Sequence, residues 1–300
     1  MIKKFFNLFS KKKKSAADFD FAFADVMVIV KAAGDKTQEL QGHVVAMDKE
    51  DGSPVSIADR KSSRIVIEGL RKLTPDIPVI SEEASKEDNA KAAKSRLHWV
   101  VDPLDGTRSY LDGYEGYGCH LALMDGDTPV LGFAYFPSAD PAKQQFYYTG
   151  EDGKAYLKTG SGAPVELHVS KPPAKETKLT AATGWKDKTL SFNGTELELH
   201  RAVGGGRLCV AASGETDIAV FNGWFSDWDL AAAHAIIKAA GGDLLNMETG
   251  KPITYSDKNY AVPPSVGGDP ETVKRLLDKG FHAAARSKPY GGAYKKRQSK

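Results

Sequence analysis

Cysteine is almost absent from this chain: two in 300 residues, Cys119 and Cys209, with no CxxC pair. That excludes a cystine framework and a zinc ribbon and suits a reducing cytoplasm, which is the expected compartment. No apolar run is long enough to cross a bilayer. Met1 to Ser10 does not fit a secretory signal either, since its apolar part is short, lysines follow as well as precede it, and no small-residue cleavage site appears. The seven histidines form no HExxH or paired spacing, so His98, His120 and His234 read as packed or hydrogen-bonded residues rather than metal ligands. No internal repeat marks a solenoid or propeller. What is present, 41% hydrophobic and 27% charged residues, describes a soluble globular body.

Acids are missing from both ends of the chain. Residues 1–14 carry Lys3, Lys4 and Lys11 to Lys14 without one acid; residues 286–300 carry Arg286, Lys288, Lys295, Lys296, Arg297 and Lys300 likewise. The net charge is +2, so the body from 15 to 285 stands at −10. An acidic body can hold metal cations while basic ends seek polyanions. The first segment, MIKKFFNLFSKKKK, has two readings. It is a solvated tail, or it is a peripheral anchor in which Ile2, Phe5, Phe6 and Phe9 share one helix face and the lysines meet anionic headgroups. The basic C-terminal stretch reads as a tail.

Between the ends, the pattern predicts a helix over 18–34 closed by Gly34 and another over 59–73. Short β-rich runs follow at His98–Val101, Cys119–Met124, Val130–Phe136 and Gln145–Thr149, separated by turn residues, as in an antiparallel sheet. After about residue 178 strands and helices alternate: a strand at Thr216–Phe221, a helix over 229–240 stopped by Gly241 and Gly242, and a helix over 269–280. In the last, Asp269 caps, Pro270 takes the first helical position and Gly280 ends it. The fold class is therefore layered α/β or α+β. The expected lobes are 15–160 and 161–285, with a boundary at KTGSGAP.

Chemistry concentrates in HWVVDPLDGT, His98 to Thr107. An apolar strand runs into Asp102, Pro103 fixes a turn, and Asp105 follows, so two carboxylates face one point at a strand end. Oxygen-only ligands suit Mg²⁺. Gly106 and Thr107 offer amides and a hydroxyl where a helix can begin, a setting that favours phosphate. Taken alone, DPLDG is equally a surface turn. Three further acidic sites accompany it: Ser81-Glu82-Glu83 after the apolar run Ile77–Ile80, Lys49 to Asp59 ending in an acid before a helix, and Trp228-Asp229 ahead of the small-residue stretch Leu230–Ala240.

In this order, K-x-D-x-S-P-V-S-x-A-D, S-E-E, D-P-L-D-G-T and W-D-x-A-A resemble the inositol monophosphatase superfamily over roughly residues 20–265. That resemblance implies an αβαβα sandwich and a Mg²⁺-dependent, lithium-sensitive phosphomonoesterase working with two or three ions. Within the superfamily, DGSPVSIADRKSSRIVIEGLRKLTPDIPVISEEAS is most similar to bacterial 3′(2′),5′-bisphosphate nucleotidases, which implies adenosine 3′,5′-bisphosphate as substrate. By the same resemblance Glu82, Asp102, Asp105, Asp229 and the carbonyl of Leu104 are metal ligands, and Asp59 and Thr107 orient and deprotonate the attacking water. Asp51 is a further candidate in that neighbourhood. The Gly106 and Thr107 amides, with Glu82, Leu104, Asp105 and Asp229, are expected to meet the substrate, and a homodimer is implied.

The departures bear on substrate. Arg108-Ser109-Tyr110 and GYGCHLAL replace the usual nucleotidase run after DPLDGT, and Gly204-Gly205-Gly206 replaces a hydroxyl-bearing segment, leaving a backbone-only nest. Where animal inositol monophosphatases carry a glutamate, the candidates are Phe221 or Asn222. The alternative substrates are therefore inositol monophosphate or another small sugar or polyol phosphate. An alternative of another class is a catalytically weak metal- and nucleotide-binding adaptor at a membrane or on nucleic acid, although no specific nucleic acid is implied. Cys209 in GRLCVAAS reads as core. Trp224, Phe225 and Trp228 read as a core wedge, or as a group with one ring at the mouth of the site.

Overall fold

A computed structural model describes residues 19–43, 47–48, 54–185, 187–255 and 259–286. Asp51, the N-terminal segment 1–14 and the tail beyond Arg286 lie outside the described residues. Two large sheets and three helical layers alternate, with two further two-stranded pairings, 47–48 with 54–55 and 225–226 with 261–262. The first sheet runs, edge to edge, through strands 79–81, 97–105, 118–125, 128–136, 145–149, 155–159 and 165–166. All neighbours in it are antiparallel except 79–81, which runs parallel to 97–105. The second sheet has the order 189–192, 195–201, 178–183, 218–221, 265–268, 243–246.

Strand alternation sorts the side chains of the first sheet onto two helical layers. Trp99, Val101, Cys119, Leu121, Leu123 and Phe133 face α1 (Phe23–Leu40) and α2 (Ile57–Leu73) in one core. Val100, Ala122, Met124 and Ala134 face the opposite way. Into that second core pack two further helices, α3 (Gly206–Ala212) and α4 (Asp227–Ala239), with Ala182, Ala219, Phe221 and Leu244 of the second sheet behind them. The far face of the second sheet is covered by α5 (Pro270–Asp278) and α6 (Phe281–Arg286). The layer order is thus αβαβα, as the family resemblance implied.

Composition explains the middle layer. A helix between two sheets buries every face, and α4 supplies Ala231, Ala232, Ala233 and Ala235, which let it sit close. A Cβ added to Gly132 on the first sheet would lie 2.1 Å from the carbonyl oxygen of Ala232. Close packing of this kind also corrects the expected end of α1. Gly34 does not close that helix; it lies inside it, because the Tyr135 ring occupies the space where a Cβ would stand, 2.4 Å away. The first sheet likewise extends past residue 160, since the strand at 165–166 pairs with 155–159. The core around α3 and α4 is shared by both sheets, while the core under α1 and α2 is drawn from residues of the first expected lobe and the core under α5 and α6 from residues of the second. At the C-terminal side, Asp269 caps α5 by accepting from the Thr272 amide at 3.0 Å, and Gly280 takes φ +82° beyond its end, as read from sequence.

Candidate active site

In a regular strand, residues three apart point to opposite faces. Asp102 pairs with His120 and Asp105 with Gly118, so three steps on one strand match two on its neighbour. That bulge, built around Pro103, which has no N–H for the ladder, turns Asp105 to the side of Asp102. The Leu104 amide donates to Asp102 Oδ1 at 2.9 Å, and the Ser62 hydroxyl donates to the Pro103 carbonyl at 2.7 Å, fixing the bulge from α2. Gly106 then takes φ +85°, and a short helical turn, Thr107–Leu111, begins.

Asp59 reaches this point from α2. Its Oδ2 accepts from both the amide and the hydroxyl of Ser56 at 2.7 Å, closing the helix N-terminus as a capping box. Its Oδ1 accepts from the Thr107 hydroxyl at 3.1 Å, and the Leu104 carbonyl stands at the same distance from that hydroxyl. The pair named from sequence is therefore in contact, with Asp59 held by two bonds on one oxygen and Thr107 on the other. Ser56, which the sequence reading did not single out, carried a signal in its S-x-x-D spacing.

The third contribution comes from α4. Asp229 stands in its first turn, Oδ2 accepting from the Ser226 amide at 2.7 Å. The helix starts two residues earlier than Asp229 because Ser226 caps it. Asp102, Asp105 and Asp229 each present a carboxylate oxygen, all within 4.8 Å of one another, in a group that could hold a metal ion. Burial, then the charge of Glu82 and of the other aspartates, pushes the carboxyls of both Asp102 and Asp229 well above the usual range. Glu82, at the end of the edge strand 79–81, thus acts on the cluster electrostatically. Carboxylates crowded and buried to this degree repel one another unless a cation joins them. The all-oxygen donor set fits Mg²⁺.

Glycines close the site from the second sheet side. The Gly205 amide donates to Asp105 Oδ2 at 2.8 Å, and a Cβ on Gly204, whose φ is +45°, would lie 1.9 Å from both Asp105 oxygens. A Cβ on Gly205 would lie 2.3 Å from the Asp229 carbonyl and 3.0 Å from His120 Nδ1. Gly204 and Gly205 are therefore packed against two of the clustered aspartates; Gly206 opens α3 and is buried under Phe136.

His98 is satisfied by the Ser95 carbonyl at 2.9 Å, and His234 by Asp243 at 2.7 Å and the Tyr255 hydroxyl at 3.1 Å, as their reading as core residues requires. His120 differs. It is fully buried, and neither ring nitrogen has a hydrogen-bond partner among the described residues. Burial pushes its pKa below the usual value, against the opposing pull of Asp105 and the Asp229 carbonyl. Both cysteines are buried, and burial pushes the Cys119 thiol up to about 12. Of the aromatic group, Phe225 is buried and Trp228 is half-buried against Tyr260, while Trp224 is 44% exposed. Phe221 is in the core, edge-on to Phe225, and the Asn222 amide donates to the Ala285 carbonyl at 3.4 Å. A cleft of about 570 Å³ lies along α2 and the edge strand; Ser63 and Glu83 line it, but none of the three clustered aspartates does.

The αβαβα body thus brings three carboxylates together between its first sheet and central helices in a group that could hold a metal ion. The chain belongs to the inositol monophosphatase family, whose model matches residues 15–288. It is 30% identical over 246 residues to the 3′(2′),5′-bisphosphate nucleotidase CysQ of Escherichia coli O6:H1, covering 80% of this chain and 96% of that one. The fructose-1,6-bisphosphatase/inositol-1-monophosphatase of Aquifex aeolicus is 27% identical over 222 residues, 70% of this chain and 78% of that one. Among solved structures, CysQ from Bacteroides thetaiotaomicron superposes with a TM-score of 0.67 at 22% identity, covering 84% of this chain and 98% of the other, which bears on the fold. Among the described residues, no helix is long and apolar enough to cross a membrane.

Proposed function

We propose that this protein hydrolyses a small phosphomonoester with Mg²⁺, and that its substrate is adenosine 3′,5′-bisphosphate, giving AMP and phosphate. The observation that carries the reading is the convergence of Asp102, Asp105 and Asp229 within 4.8 Å, beside the Thr107–Asp59 pair at 3.1 Å. Two or three ions would be held by Glu82, Asp102, Asp105, Asp229 and the Leu104 carbonyl. Bound there, Mg²⁺ supplies charge that offsets the carboxylates and the phosphate oxygens and acidifies water.

The protein's own groups do the rest. With the Leu104 carbonyl, its other acceptor at 3.1 Å, turned to metal, the Thr107 hydroxyl would direct its one hydrogen to Asp59 and leave its lone pairs to accept a proton from the attacking water. Asp59 is itself anchored to the N-terminus of α2, so the pair presents a fixed direction of attack. Water oxygen bonds to phosphorus as the bond to the ester oxygen breaks in line; the attacking water gives its proton to the Thr107–Asp59 pair, and the leaving oxygen takes a proton from solvent water. The Gly106 and Thr107 amides hold phosphate oxygens at the start of the short turn. No covalent phosphoenzyme is needed.

Two facts support a nucleotide over a polyol. Similarity to the Escherichia coli nucleotidase covers 96% of that protein. At the position discussed for inositol hydroxyls, Phe221 is buried under its neighbours and Asn222 is turned to the Ala285 carbonyl, so neither offers an acidic contact. The complete acidic set also disfavours a non-catalytic adaptor. The test is phosphate release from adenosine 3′,5′-bisphosphate, inositol 1-phosphate, fructose 1,6-bisphosphate and histidinol phosphate, with Mg²⁺ and with chelator. Preference for the bisphosphate nucleotide is expected; preference for inositol 1-phosphate would replace the substrate, and no Mg²⁺-dependent release from any of them would overturn the reading.

A further inference from the structure

We infer that His120 is a positioning residue for the acidic cluster, its Nδ1–H directed to Asp105 Oδ2 from behind the metal-facing side. The inference rests on the phosphatase reading above. His120 lies on the strand 118–125, in register with Asp102 and on the same sheet face as Ala122 and Met124, so its ring enters the layer where α4 packs. It is 0% exposed, and its Nδ1 stands 3.5 Å from Asp105 Oδ2, the same oxygen that accepts from the Gly205 amide. The ring is packed edge-on to Phe136, with centroids 5.3 Å apart. Gly205 leaves the path to the imidazole open, since its own Cβ would crowd Nδ1 at 3.0 Å.

Burying a polar ring without a partner is unfavourable, and a leucine or phenylalanine would fill the same space without that penalty. An imidazole placed a few tenths of an ångström beyond hydrogen-bond reach of a carboxylate has a use if the carboxylate needs holding from two sides. The Asp229 carbonyl is a second acceptor beside the ring and raises the imidazole pKa through a backbone contact. A carboxylate oxygen is the stronger acceptor of the two, so the Nδ1–H is assigned to Asp105 rather than to this carbonyl. Of the two tautomers, the one with the proton on Nδ1 leaves only an unpaired acceptor at Nε2, which is less costly to bury than an unpaired donor.

The experiment measures Mg²⁺ binding by titration calorimetry, without substrate, on the full chain and on His120→Leu and His120→Asn. The leucine variant should lose tenfold or more in Mg²⁺ affinity, as is usual when a partner that orients a metal ligand is removed. Its metal-free thermal midpoint should not fall. The asparagine variant, which keeps an N–H donor, should recover affinity to within about threefold of the parent, as expected if only a donor is needed. A purely structural role predicts the reverse: a lowered metal-free midpoint and Mg²⁺ affinity within twofold of the parent, and that pattern overturns the inference. Should the leucine variant not fold, long-range nitrogen–proton correlation on the unaltered protein reads the tautomer directly. Protonation at Nδ1 supports the role, and protonation at Nε2 overturns it. Since none of these readouts needs turnover, absence of phosphatase activity would count against the proposed function and leave this result separate.

Discussion

Replacing Asp105 by asparagine removes one negative charge from a group whose oxygens lie within 4.8 Å of one another. At that separation, with an effective dielectric near 20, two unit charges repel by about 3.5 kcal/mol. Asp102 and Asp229 relieve part of this by holding protons, as their raised pKa values require, so the net gain on neutralising Asp105 in metal-free protein is about 1–3 kcal/mol. Asparagine still accepts from the Gly205 amide, and the packing against Gly204 is kept. For a chain of this size the midpoint in EDTA should therefore rise by about 2–6 °C. With millimolar Mg²⁺ the order should reverse, because the parent gains binding free energy that the variant loses. Thermal unfolding of both proteins in EDTA and in Mg²⁺ gives all four midpoints. A variant less stable than the parent in EDTA, with the same Mg²⁺-induced rise, would refute the reasoning.

Thr107→Ala should lower kcat by about 10²–10⁴ with little change in Mg²⁺ affinity, and Asp59→Asn should do the same while weakening the α2 cap by about 1 kcal/mol. The double variant should be no worse than the poorer single one; strictly additive losses would mean that the two do not share a proton path. Metal-free protein should lose stability as pH rises above about 4, the ordinary carboxylate value, because native Asp102 and Asp229 bind protons that the unfolded chain has already released. Denaturant midpoints measured in EDTA across that range test this, and a midpoint that climbs with pH would contradict it. Of the two readings of residues 1–14, an anchor requires full-length protein to sediment with anionic but not neutral vesicles and the deletion of 1–14 to stay in solution, and under either reading the deletion should leave turnover of a soluble substrate intact. Failure to bind anionic vesicles at low salt would leave the segment as a tail.

The strands, the helices and the DPLDGT cluster were legible because their signals are local, whereas the layer order and the full ligand set came from the resemblance of four ordered motifs to a known family. Short apolar runs between turn residues mark the strands, and the small-residue run after WD marks a helix; DPLDGT reads as a turn after a strand, whereas the strand continues through it to Asp105 with a bulge. What was illegible depends on contacts distant in sequence. Gly34 reads as a helix end until Tyr135, far along the chain, is seen to need the space. The glycines at 204 and 205 read as a phosphate nest, but their nearest neighbours are Asp105, the Asp229 carbonyl and His120. His120 reads as one more core histidine; only the fold reveals that, unlike His98 and His234, it has no bonded partner among the described residues and faces Asp105. The sequence boundary at 160 followed a Gly- and Pro-rich turn, whereas the sheet continues through one more strand.

The most direct test is initial-rate phosphate release from adenosine 3′,5′-bisphosphate by the purified full chain in Mg²⁺, in EDTA, and in Mg²⁺ with Asp105→Asn. Release of one phosphate per nucleotide with AMP as product, abolished by EDTA and by the substitution, is the result the account predicts. Release that persists in EDTA, or that stays within tenfold of the parent in the Asp105→Asn protein, would contradict it.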